Sequence, residues 1–315
     1  MVVLVAGEAL VDLVQADCSG TPGFVPRPGG SPLNVAVGLS RLGVPVGFLG
    51  KISRDTFGRM LKTYLKENGV ELRYLVEGEE PSALSFVRLG GEGIPKFEFY
   101  GTHTADSALA PDLLPAQLPG EVQAIHLGSI AMVRKPSGST LTALMEREHG
   151  KRTISFDPNI RPSVIVDRHL YISKLKQWLS LSDIVKVSQT DLDYLYPHKP
   201  YGLVAKQWLK LGPKLVVVTR GPKGAVGFSK CAQVEVSGIQ VQVADTVGAG
   251  DAFTAGLLAW LFYNNRMNRE YLVHLSQEEF RNALSYATCV AALTCTRVGA
   301  DPPYRSEVES FSCSL

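Results

Sequence analysis

Thr246-Val247-Gly248-Ala249-Gly250-Asp251 constrains the fold more than any other stretch of this chain. It is a glycine-rich turn with a carboxylate inside it. Residues 241–244 before it alternate like the end of a strand, and residues 252–261 after it are nearly all apolar or small. The pattern predicts strand, turn and helix in succession. The first N–H groups of a helix have no intrahelical acceptor and the helix dipole adds partial positive charge there, so such a turn draws an anion. Glycine lets the anion approach the backbone closely. A carboxylate in the same turn repels a phosphate, but it can take a proton from a hydroxyl that attacks one. Anion donors beside a base point to phosphoryl transfer to an alcohol. A glycine turn alone more often only caps a helix, so the rest of the chain has to decide.

With 315 residues there is room for one large α/β domain or two small ones. The formal net charge of +2 gives no reason to expect nucleic acid or an anionic membrane as a partner. The opening Met1-Val2-Val3-Leu4-Val5-Ala6-Gly7-Glu8 lacks a basic region and reads as a buried first strand, not a signal peptide. No apolar run approaches the ~18 residues of a membrane span. The five cysteines, Cys18, Cys231, Cys289, Cys295 and Cys313, have no Cys-x-x-Cys spacing, which suits a reducing, cytoplasmic setting without disulfides or zinc. His126 lies in an apolar run and reads as a hydrogen-bonded core residue. Trp178, Trp208 and Trp260 sit at helical spacing among apolar residues and read as packing.

Strand-like runs at 2–6, 44–49, 122–127, 153–157, 184–187 and 215–219 alternate with helical segments at 32–42, 55–68, 137–149, 168–181, 202–211, 248–263 and 277–296. Runs of Val, Ile and Leu without alternation predict a parallel sheet covered on both faces, and the repeated order predicts a doubly wound α/β fold. Two regions break this rhythm, about 10–28 and 82–104. In the second, strand-like segments flank Gly90-Gly91-Glu92-Gly93, a hairpin signal. Together they predict a small antiparallel lid sheet over the carboxyl ends of the main strands. No linker or repeat divides the chain, so a single domain is expected.

Several further segments should meet at that edge. Asp12 follows the first strand. Gly29-Gly30-Ser31-Pro32-Leu33-Asn34 opens the first helix, with Pro32 at a helix-start position. Phe156-Asp157-Pro158-Asn159-Ile160-Arg161, Lys186-Val187-Ser188-Gln189-Thr190-Asp191 and Thr219-Arg220-Gly221-Pro222-Lys223-Gly224 each end a central strand. Asp157 and Asn159 read equally well as fixing the turn before Pro158 and Pro162.

In this order, over nearly the whole chain, these residues resemble the PfkB, or ribokinase-like, carbohydrate kinases. Gly29 to Gly43 looks like that family's first signature and Asp245 to Asp251 like its second. Within the family the first segment, followed by Gly47-Phe48-Leu49-Gly50-Lys51, is most similar to fructokinases. The resemblance implies a ribokinase-like sheet flanked by helices with a β lid. It implies transfer of the γ-phosphate of ATP to a sugar, with D-fructose favoured and 2-keto-3-deoxygluconate or ribose as alternatives. A nucleotide- or sugar-binding protein without turnover is a further alternative; an NAD-linked dehydrogenase is disfavoured, since no Gly-x-Gly-x-x-Gly follows the first strand. Asp251 would be the general base and Gly248, Ala249 and Gly250 the anion hole, with Arg161 reaching toward the phosphoryl group or sugar. Asp12, Gly29, Gly30, Asn34, Tyr100 and His103 would contact the sugar. Lys186, Ser188, Asp191, Thr219, Gly221, Gly224 and Thr288 would line the nucleotide site. Mg²⁺ would arrive with ATP. Potassium is expected beside the anion hole, at Asp245, Val247, Thr294, Arg297 and Gly299. The chain departs from the family in having Ser188-x-x-Asp191 where Asn-x-x-Glu is common, and Gly101 where fructokinases often carry Arg. The exposed faces of the lid suggest a homodimer.

Overall fold

In the computed structural model, which describes residues 1–18, 20–89 and 95–312, the Val-, Ile- and Leu-rich runs form strands. β1 (Val2–Ala6) leads into the pair β2 (Leu10–Cys18) and β3 (Thr21–Gly29), and then α1 (Ser31–Arg41). β4 (Val46–Ser53), α2 (Thr56–Glu67) and β5 (Leu75–Gly78) precede a second pair, β6 (Leu84–Leu89) and β7 (Pro95–Tyr100). Strands and helices then alternate through β8 (Val122–Gly128), α3 (Ser137–Glu148), β9 (Thr153–Asp157), α4 (Arg168–Ser180) and β10 (Ile184–Ser188). Two short helices, α5 (Gln189–Leu195) and α6 (Tyr201–Leu209), precede β11 (Leu215–Thr219) and the hairpin β12 (Ala225–Ser229) and β13 (Gln233–Val236). Four helices complete the described chain: α7 (Ala249–Tyr263), α8 (Arg269–Val273), α9 (Gln277–Cys295) and α10 (Arg305–Ser312).

Among the described residues the main sheet runs β13-β12-β11-β10-β9-β8-β1-β4-β5. It is parallel from β5 to β11, with β12 and β13 antiparallel at one edge. The chain leaves β1 for β4 on one side and later returns to β8 on the other. The strand order therefore reverses between β1 and β8, which opens a crevice beyond their carboxyl ends. Side chains alternate between two cores. Val3 and Val5 pack with α1, α7 and α9, whereas Leu4 and Ala6 pack with α3 and α4. Both faces are apolar, which is why these strands lack a polar alternation.

The lid sheet has the order β3-β2-β6-β7. Both outer pairs are antiparallel, but the central β2–β6 pair is parallel, so the lid is not purely antiparallel. Both strands leave the carboxyl edge of the parallel main sheet and so run the same way. The hairpin turn read at Gly90–Gly93 lies outside the described residues, as does Cys313. Residues 241–244 form no strand. Val243 is 59% exposed, and the Ala244 N–H is taken by the Cys295 carbonyl at 2.8 Å rather than by a neighbouring strand. Cys231 and Cys295 are free thiols, and Cys289 is buried. His126 is buried, with Nδ1 3.0 Å from Ser155 Oγ, and burial pushes its pKa down to about 4, so it stays neutral.

α7 packs between α1 and α9. A Cβ on Gly38 would lie 2.8 Å from Ala255 Cβ, and one on Gly256 would lie 2.9 Å from Ala287 Cα. The two glycines thus let α7 sit close to both neighbours, which fixes where its N-terminus ends. Trp178 and Trp208 are buried, and Trp260 is partly buried against the core. Trp178 packs on Phe156 and Tyr171 and donates its indole N–H to Thr142 Oγ1 at 2.9 Å. Trp178→Ala should destabilise the protein by about 3–5 kcal/mol. Urea unfolding would measure this, and an unshifted midpoint would contradict the packing role.

Candidate active site

The turn before α7 brings a carboxylate to a helix end. Gly248 is the N-cap, in the left-handed region at φ 76°, and Asp251 lies in the first helical turn. α1 begins opposite, with Gly30 as N-cap at φ 105°. Ser31 Oγ donates to Asp251 Oδ1 at 2.7 Å, and Asn34 Nδ2 donates to Oδ2 at 2.8 Å. Asn159 Nδ2 stands 3.5 Å from Oδ1. Asp251 is only 7% exposed. Burial raises its pKa, while the Ser31 and Asn34 bonds and the Lys186 charge oppose that rise. The first turn of α7 offers N–H groups without intrahelical acceptors. Of the expected anion donors, Ala249 differs: its N–H reaches back to the Thr246 carbonyl at 3.3 Å, closing the turn on which Gly248 is left-handed.

A cavity of about 190 Å³ opens beside Asp251. Asp12, Gly30, Asn34 and Arg161 line it, together with Ser31, Phe99 and Ser129. Gly29 lies against the Asp12 carboxylate. Burial and the nearby Asp251 push the Asp12 pKa up to about 6, against the pull of Ser85 and Arg161. Tyr100 and His103 are not brought here. Strand alternation turns Phe99 inward and leaves Tyr100 60% exposed, edge-on to Phe86. His103 follows in a left-handed turn at φ 56° and lines a separate cavity.

A second cavity, of about 880 Å³, lies on the far side of the same turn. The two share Asn159, Arg161, Thr246 and Gly250 as a common wall. Lys186, Ser188, Asp191, Thr219, Gly221 and Gly224 border the larger one, as does Thr288. Their roles differ. The Thr288 hydroxyl donates to the Leu284 carbonyl at 2.8 Å within α9. Ser188 and Asp191 form a capping box at the start of α5. Both Asp191 oxygens also accept backbone N–H groups, from Ile160 at 3.2 Å and from Ser188 at 3.3 Å. The shorter Asp in place of Glu thus folds back onto its own helix end. Lys186 is buried, and its Nζ lies 2.8 Å from Asp157 Oδ2 and 2.9 Å from where a Gly250 Cβ would be. Burial works to lower the Lys186 pKa, but Asp157 prevails and raises it, so the ammonium stays charged beneath the turn.

Asp245 ties the turn to the loop after α9. One carboxylate oxygen accepts the Thr246 and Val247 N–H groups at 2.7 and 3.1 Å, and the other accepts the Gly299 N–H at 2.9 Å. The Thr294 carbonyl accepts the Arg297 N–H at 3.1 Å, and the Arg297 side chain pairs with Asp301 and Glu307. Among the described residues no group of three or more His, Cys, Asp or Glu side chains could hold a metal.

Some site residues were not singled out from sequence. Ser31 sits inside a recognised motif, but nothing marks its hydroxyl as a partner of a residue 220 positions later. Phe99 was passed over for Tyr100, because alternation gives two faces without saying which is inner. Glu8, buried at the end of β1, accepts the Ala131 N–H at 3.1 Å, and burial pushes its pKa up to about 7. The Lys186–Asp157 pair joins two strand ends that sequence alone leaves unpaired. Lys186→Met would strand the Asp157 carboxylate without its cation and should cost about 3–5 kcal/mol. Chemical denaturation tests this, and Asp157→Asn in the same background should recover much of the loss.

The chain matches the model of the pfkB family of carbohydrate kinases over residues 2–307. It is 38% identical over 281 residues to a fructokinase of Rhizobium leguminosarum bv. trifolii, covering 89% of this chain and 86% of that one. The structure of a fructokinase from Xylella fastidiosa with bound ATP superposes with a TM-score of 0.91 at 31% identity, covering 99% of this chain and 98% of the other. A double mutant of the Vibrio cholerae O395 fructokinase, in its fructose-, ADP- and potassium-bound form, gives 0.86 at 30% identity, with 98% and 97% covered. These matches place the chain in the pfkB family of carbohydrate kinases.

Proposed function

We propose that this carbohydrate kinase is an ATP-dependent fructokinase, forming fructose 6-phosphate and ADP. One observation carries the reading: Asp251 and the α7 turn stand where a small polar cavity meets a large one, so an acceptor and a nucleotide can face each other across them. The similarity to fructokinases over most of the chain supports fructose as the acceptor.

In this reading the sugar occupies the smaller cavity, with Asp12, Gly30 and Asn34 accepting and donating hydrogen bonds to its hydroxyls. Asp251 takes the proton of the 6-hydroxyl as that oxygen bonds to the γ-phosphorus, and the bond to the bridging oxygen of ADP breaks. Backbone N–H groups of Gly248 and Gly250 and the charges of Arg161 and Lys186 meet the negative charge on the phosphoryl oxygens. Positioning and fixed charge supply most of the catalysis in such a transfer. The nearby carboxylates of Asp157 and Asp191 are already committed to protein partners. They fit a Mg²⁺ held by ATP phosphates and water, which neutralises phosphate charge, rather than an ion held by the protein. Asp245 and the carbonyls of Val247, Thr294, Arg297 and Gly299 offer the oxygen donors that suit potassium, which would stiffen the turn. Pairing of lids into a homodimer is supported by an aromatic row across the lid sheet. Phe24 and Tyr100 are 39% and 60% exposed and both pack edge-on to Phe86 between them.

An ATP-consumption assay on a panel of free sugars, with magnesium and potassium, tests the reading. Fructose should be the best acceptor. Asp251→Asn should lower kcat by ~10²–10⁴-fold while ATP still binds. Turnover of another sugar in preference would refute fructose, and undiminished turnover in the variant would refute the base.

Asp12 generates a separate pH dependence. Its carboxylate, with a pKa pushed up to about 6, is ionised at pH 8 and gains a proton as the pH falls through 6. The neutral acid is a poorer acceptor for sugar hydroxyls, so the KM for the sugar should rise on the acid side. Asp12→Asn should have a high KM at every pH and no such rise, and a wild-type KM that is flat from pH 8 to 5 would remove Asp12 from the sugar site.

A further inference from the structure

A cavity of about 440 Å³ lies between the lid and the body, outside the two already described. The lid contributes Phe99, Gly101 and His103, and the body contributes Arg134, Lys135 and Ser163. Arg134 lies against the end of the lid strand: a Cβ on Gly101 would fall 2.2 Å from Nη1 and 2.4 Å from Nη2, so only glycine leaves the guanidinium this place. Nη1 donates to Asp106 Oδ2 at 2.8 Å, and the side chains of Arg134 and Asp106 are 12% and 1% exposed. The other Asp106 oxygen accepts the Thr104 hydroxyl. Asp106 therefore fixes the guanidinium and balances its charge. Lys135 adds an exposed ammonium with no ion-pair partner among the described residues. Among the described residues no carboxylate lines the cavity.

A planar guanidinium held in place beside an unpaired ammonium suits a phosphate group. The volume exceeds what a bare ion needs and falls in the range of small-molecule pockets. Three of the segments here also reach toward the acceptor cavity. Phe99 walls both cavities, Arg161 stands two residues before Ser163, and Ser129 lies in the turn that leads to Arg134.

We propose that this cavity binds a small molecule bearing a phosphate monoester, bridging lid and body through Arg134 and Lys135. Its occupancy stiffens the segments that carry Phe99, Ser129 and Arg161. The ligand site itself does not depend on which sugar is the acceptor.

The test is calorimetric titration of the full-length protein, saturated with ADP and Mg²⁺, using inorganic phosphate and fructose 6-phosphate as probes. Fructose 6-phosphate should bind to the wild type, and Lys135→Glu should weaken that binding at least tenfold. Binding of fructose 6-phosphate alone identifies an organic phosphate, and binding of both probes with equal sensitivity to Lys135→Glu identifies the phosphate group as the determinant. Arg134→Gln should weaken binding further; if it fails to fold because Asp106 is left unpaired, Lys135→Glu still decides. Sensitivity of inorganic phosphate alone, absence of binding by either probe, or binding equal in wild type and Lys135→Glu overturns the proposal. Neither probe requires turnover, so failure here is distinct from failure of the fructokinase reading.

Discussion

Two helix N-termini lie side by side in this protein, and the Asp251 carboxylate joins them. Each end carries partial positive charge and unpaired N–H groups, so bringing the like ends of α1 and α7 together is unfavourable by itself. A buried carboxylate resolves the conflict. It belongs to the first turn of α7 and accepts from Ser31 and Asn34 of α1. The close packing allowed by Gly38 holds α1 on α7, and that allowed by Gly256 holds α7 on α9. The same geometry leaves a cavity on either side of one negative group.

A second buried charge pair supports this arrangement. Lys186 at the end of β10 and Asp157 at the end of β9 come from neighbouring parallel strands, whose carboxyl ends meet under the α7 turn. Desolvating both groups is costly, and a hydrophobic pair of similar size would serve stability as well or better. Stability therefore does not explain the pair. A fixed ammonium close to Gly250 does, since it adds positive charge where the proposed transfer develops negative charge.

Much of this was legible in the sequence, for physical reasons. Parallel strands buried on both faces read as unbroken Val, Ile and Leu runs, and 153–157 and 215–219 were bounded to the residue. Glycine turns before helices mark helix starts, so Gly248 with Asp251, and Gly30, could be placed at N-termini from sequence. Long-range pairing could not. Neither the Ser31 bond to Asp251 nor the Asp157 bond to Lys186 has a local signature. Residues 241–244 alternate as a strand would, yet no strand lies beside them to pair with. Tyr100 is the polar-tipped aromatic that chemistry favours for a sugar, but the pleat of β7 turns Phe99 inward instead. The parallel β2–β6 pair depends on the direction in which both strands leave the main sheet, which no single segment encodes.

The hydrogen bonds that hold Asp251 also set how strong a base it is. Two donors favour the carboxylate, while burial favours the acid, and burial wins enough to raise the pKa. A carboxylate with a raised pKa accepts a proton more readily than a solvated one, provided it remains ionised at the working pH. Removing either donor would strengthen the base in principle, but would also release the carboxylate from the line between the two cavities. Asn34 sharpens the conflict, because it borders the acceptor cavity as well as bonding to Oδ2. In the proposed reaction a hydroxyl entering that cavity meets a carboxylate already held by residues of the cavity wall. Its proton would then find an oriented acceptor, and orientation would matter more than basicity, because the residues that hold the carboxylate also wall the proposed acceptor cavity.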